Sequence, residues 1–124
     1  MHWLSAELER VGRLAAGRSP IFVHALSDLV AQLGERPGLR AAFAAHEGLI
    51  IAVTGDKAAA EALAAQAQGL LGAAAHASTT LGLGGVSQTV VVTEHGKLAI
   101  IAVGPVVVGL LAPPHVSLAM ATAT

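Results

Sequence analysis

From Gly48 to Ala112 the chain reads as strand, long alanine-rich helix, then three strands in a row, with almost no charge. The helical pattern over residues 57–80 is the longest in the sequence. Leu63, Ala67, Leu70 and Ala74 fall within a narrow arc, with Leu71 beside them. The opposite arc is Glu61, Ala65, Gln68, Gly72 and His76. Residues three and four apart share one side of a helix, so one face is greasy and the other small or mildly polar. A small-residue helix between apolar strands is built to bury surface. The segment holds no catalytic cluster, so the remaining thing to bury is a partner.

The strands flanking the helix are not alternating. Val86–Thr93 is β-branched, and Leu98–Val103 and Val106–Leu111 are apolar on both faces, separated by Gly104-Pro105. Such strands need cover on both sides of their sheet, from helices or another subunit. Composition points the same way. Of 124 residues, 54% are hydrophobic and 12% charged, against roughly 25% charged in ordinary soluble domains. A domain this small leaves about a third of its unfolded-chain surface exposed, so little polar surface is available to cover it.

Several function classes are disfavoured. Net charge is −1, and five Arg and two Lys are scattered, whereas nucleic-acid binding needs clustered cations to displace counterions. Two Phe and Trp3 do not make a base-stacking platform. The absence of cysteine removes disulfides, thiol catalysis and thiolate metal sites, and is compatible with a cytoplasmic setting. Met1–Gly17 mixes charge with apolar residues and does not read as a signal peptide. Leu98–Pro114 is the most membrane-like stretch, but it is short for a span and broken by glycine and proline. Two paired strands explain it better.

The rest of the chain completes one domain, with residues 1–34 as N-terminal helices and 35–124 as a sheet-and-helix core. Leu4, Leu8, Val11 and Ala15 form one helical stripe. Gly17-Arg18-Ser19-Pro20 interrupts it, with Ser19 as the next N-cap and Pro20 in the first turn. Phe22, Leu26, Leu29 and Leu33 line the second helix, Gly34 stands where a C-terminal glycine cap belongs, and Pro37-Gly38 closes the connection. Ala41–Ala45 and Leu49–Thr54 flank Glu47-Gly48 as a hairpin. Asp56 is placed to cap the long helix, Leu81-Gly82-Leu83-Gly84-Gly85 ends it, Glu94–Lys97 is a turn, and Val116–Ala123 reads as a short last helix. The fold class is α+β: a single antiparallel five-stranded sheet sandwiched by helices, with an extra N-terminal helix.

From Arg40 onward this order resembles the roadblock family, named for the dynein light chain roadblock. Ala41-Ala42-Phe43-Ala44-Ala45-His46-Glu47-Gly48-Leu49-Ile50-Ile51-Ala52 is similar to the family's first hairpin. The helix after Asp56, the glycine break, Glu94-His95-Gly96-Lys97-Leu98 and Val106–Leu111 follow in family order. The likeness covers about three quarters of the chain and rests on apolar patterns and turn glycines, with profilin-like layering. Two departures stand out: two helices precede the hairpin where family members commonly have one, and the final helix is short. The first helix is expected to cover sheet that the short last one leaves bare.

The resemblance implies a homodimer, or a heterodimer with a sibling chain. In the family the long helices pack together and the following strand pairs across the two-fold axis. Carried over, this gives a dimer interface of Glu61, Ala65, Gln68, Gly72 and His76 with Val90, Val91 and Val92. The residues themselves suggest the same place: small side chains let helix backbones approach, and an unpaired apolar edge otherwise recruits chains at random. The resemblance also implies work beside a small GTPase, as regulator or scaffold.

Reactive chemistry is not apparent. His2, His24, His46, His76, His95 and His115 lie on separate elements, with no His-x-x-x-His pair. His76 alone falls on the interface arc, where its protonation would couple dimerisation to acidity. Ser5, Ser19, Ser27, Ser78, Ser87 and Ser117 sit outside any Gly-x-Ser-x-Gly elbow. Asp28 and Asp56 read as a surface residue and a cap. The glycine run lacks a Gly-Lys-Ser/Thr ending and leads from helix to strand, the wrong direction for holding phosphate. The stripe beside Trp3 carries Glu7 and Glu9 against Arg10 and Arg13, unlike a basic lipid-surface helix. The expectation is a non-catalytic, cytoplasmic dimer without cofactor or metal, scaffolding or regulating a small GTPase. An assembly adaptor with no GTPase partner and a small-ligand-binding module are the alternatives.

Overall fold

The computed structural model describes residues 2–14 and 20–121. In chain order the elements are α1 (His2–Leu14), α2 (Pro20–Gly34), β1 (Ala41–His46), β2 (Leu49–Gly55), α3 (Lys57–Thr80), β3 (Gln88–Val92), β4 (Lys97–Val103), β5 (Val106–Ala112) and α4 (Leu118–Ala121). The proposed Ser19 cap, the end of the first stripe at Ala15 and the last residues of the final helix lie outside the described residues. The five strands form one antiparallel sheet in the order β2-β1-β5-β4-β3, leaving β2 and β3 as edges.

Helices cover both faces, as strands apolar on both sides require. On one face α2 lays down Phe22, Leu26, Leu29 and Leu33, all buried, against Ala42, Ala44, Val108 and Leu110. Each such leucine contributes about 2 kcal/mol of burial. Leu4 and Val11 of α1 are fully buried in the same cluster, beside Ile101 and Val103 of β4. Leu118 of α4 joins them. Trp3 carries the Arg36 guanidinium 3.9 Å above its ring, tying α1 to the turn after α2. The extra N-terminal helix therefore covers sheet on the side that the short last helix only partly reaches.

On the other face α3 packs through small residues. Ala60, Leu63, Ala64 and Ala67 are buried against Ala41, Phe43, Ala45, Ile100 and Val107. Phe43 pairs across the sheet with Gly109, and a Cβ there would collide with its ring. That glycine is where a large aromatic fits beneath an alanine helix.

The ends of α3 are held by named bonds. Asp56 Oδ1 accepts the Ala59 N–H at 3.0 Å, and Oδ2 accepts from Arg40 Nη2 at 2.8 Å. The Ala59 amide, and after it the Arg40 guanidinium, hold the Asp56 carboxyl below its ordinary value. At the other end the Gly82 N–H donates to Thr79 at 3.1 Å and the Leu83 N–H to Ser78 at 2.9 Å. With Gly82 at φ 69° this is a Schellman closure.

Three local expectations are corrected. Gly34 is the last residue of α2, not a left-handed cap beyond it; a Cβ there would collide with Thr54 of β2. The left-handed glycine of that connection is Gly38, at φ 93°. The strand expected over Val86–Thr93 is shorter, Gln88–Val92. Before it, only the Ser87 carbonyl continues the ladder, accepting from Ala102 at 3.0 Å. In the hairpin, Glu47 as well as Gly48 takes positive φ, 52° and 82°, as a two-residue turn with primed twist requires.

Candidate interaction surface

The outward side of α3 is a consequence of what the inward side buries. With Leu63, Ala64 and Ala67 against the sheet, the helical period turns Glu61, Ala65, Gln68, Gly72 and His76 away from it. All five are exposed. Among the described residues a Cβ at Gly69 or Gly72 would meet nothing within 4 Å, so packing against them explains neither glycine. Glycine costs a helix interior roughly 0.5–1 kcal/mol relative to alanine, and this helix carries two on its exposed side. No Asp, Glu, Lys or Arg occurs between Glu61 and Glu94.

The strand half of the surface divides by face. Val90 pairs with Ala99 and Val92 with Lys97, so both point to the α1/α2 side, where they are 48% and 68% exposed. Val91 pairs with Leu98 and Thr89 with Ile100, and these point to the α3 side, half-buried. A partner laid along α3 would therefore share its surface with Val91 and Thr89. Val90 and Val92 would join only through the strand edge. The Thr89 Oγ1 is buried and has no hydrogen-bond partner among the described residues, a polar atom on the edge strand that sequence reasoning does not single out. Leu81 and Leu83, 70% and 72% exposed, extend the apolar surface past the end of α3. In sequence they read as a loop, distinguished only as leucines among glycines.

The remaining titratable groups do not assemble. Among the described residues no group of three or more His, Asp or Glu could hold a metal ion. His24 stands 3.8 Å from Asp28, His95 3.9 Å from Glu94, and Arg10 2.8 Å from Glu7, all at the surface. An apolar cleft of about 160 Å³ is lined by Phe22, Val23, His46, Ile51, Pro105 and Val106. It lies on the α2 side, away from α3; wider surface clefts of about 440 and 380 Å³ lie beside α1, one at Arg10, Leu14, Ile21 and Asp28, the other at Leu8, Gly12 and Val103. No helix among the described residues is long and apolar enough to cross a membrane.

Comparison with solved structures places this geometry. A Roadblock/LC7 domain from Streptomyces avermitilis superposes with a TM-score of 0.68 at 28% identity, over 78% of this chain and 85% of that one. Myxococcus xanthus MglB gives 0.66 at 17% identity, over 77% and 75%. An MglB with tetrameric arrangement gives 0.65 at 17%, over 76% and 74%. At such identities the two MglB structures speak for the fold alone. Comparison with curated proteins gives no match. The Roadblock/LC7 domain family matches residues 26–112, from within α2 to the end of β5, and the chain belongs to that family.

Proposed function

We propose that the protein is a non-catalytic, cytoplasmic scaffold or regulator that self-associates through α3 and β3 and offers the resulting composite face to a small GTPase. One observation carries the self-association: a full-length helix face of exposed alanine, glycine and glutamine stands beside an unpaired, valine-rich sheet edge. Small residues allow close helix approach, and a paired edge is safer than an open one. A structural neighbour is an MglB in a tetrameric arrangement, which is in keeping with association through this fold. The GTPase reading rests on what the roadblock resemblance implies. In such a complex the protein would act by positioning the GTPase's own groups.

The test has two parts. Sedimentation equilibrium should give a dimer at micromolar concentration; a strict monomer would overturn self-association. Tagged protein is then exposed to source lysate with GDP or a non-hydrolysable GTP analogue. A small GTPase held preferentially in one nucleotide state supports the regulatory reading. Retention of other subunits, indifferent to nucleotide, would replace it with the adaptor alternative.

A further inference from the structure

We draw no further inference here: the strongest candidate, the open groove of about 380 Å³ between α1 and strands β3 and β4, lined by Leu8, Gly12, Gln88 and Val103 with the exposed Val90 and Val92 further along β3, is an unpartnered face, and nothing in the structure shows what covers it.

Discussion

The two faces of the sheet are sealed in opposite ways. On the α1/α2 side the cover is made of large side chains, with Leu4, Leu26, Leu29 and Leu33 each fully buried. On the α3 side it is made mostly of alanines, and the largest buried side chain, Phe43, comes from the sheet. Large residues sealed within the chain finish a core. Small residues on both sides of one helix do something else: they bring its backbone close to the sheet inside and leave it approachable outside. The α1/α2 side is closed by large side chains within the chain, and the α3 side leaves a small-residue helix face exposed, the face proposed above for self-association.

The sharpest way to break this contrast is to remove the cover unique to the first face. Deleting residues 1–17 would uncover β4 and the α2 flank where Leu4 and Val11 are buried. The largest loss is expected here: aggregation, or thermal unfolding that is no longer cooperative. Unchanged stability and assembly would show that α1 is dispensable. Single substitutions then compare the faces directly. Leu29→Ala should cost about 3 kcal/mol in denaturant unfolding, through lost burial and a residual cavity. Ala64→Leu should cost about 2 kcal/mol for the opposite reason, because a fully buried alanine against the sheet leaves no room. If Ala64→Leu were neutral, the α3 layer would be looser than its alanines indicate.

Much of this division was legible in the sequence, and the exceptions share a cause. Helix α3 was bounded at both ends because its signals are local: Asp56 before it and Gly82 after it. The α2 stripe and both α3 arcs followed from a single period. Gly34 could not be read, because its reason is Thr54 on a strand twenty residues later. Gly109 likewise owes its place to Phe43 on another strand. The β-branched pattern extends to Val86, but the strand begins at Gln88 because little ladder continues beyond the Ser87 carbonyl. Val90-Val91-Val92 looked like one edge; its division between faces is set by register with β4. The β1–β2 bulge between Ala44 and Ala45 breaks alternation, so that Ile51 and Ala52 both pack toward α2.

Gly72→Arg sharpens the comparison where the effect on the fold is small. Arginine is a better helix residue than glycine by roughly 0.8 kcal/mol, and Gly72 is exposed with open space around it. The monomer should therefore unfold at the same temperature or slightly higher. If α3 forms the proposed interface, the two copies should separate, leaving monomer by sedimentation or protein that precipitates. A dimer of normal affinity would place the interface elsewhere, with the α3 outer face merely solvated.

The smallest expected effect lies at the hinge between the faces, where Arg40 at the start of β1 meets Asp56 at the start of α3. The amide of Ala59, then Arg40, lowers the Asp56 pKa in the folded state. A depressed folded value means that this contribution is present above the unfolded aspartate range, near pH 4, and is lost as pH falls through the lower folded value. Asp56→Asn keeps an N-cap acceptor and removes the charge that Arg40 and the helix terminus attract. Its melting temperature at pH 7 should fall slightly, and the gap to wild type should close as pH drops from 5 toward 2. The closing gap is the informative part. A uniform offset at every pH would mean that Asp56 serves only as a hydrogen-bond acceptor, and that the link between β1 and α3 is geometric, not electrostatic.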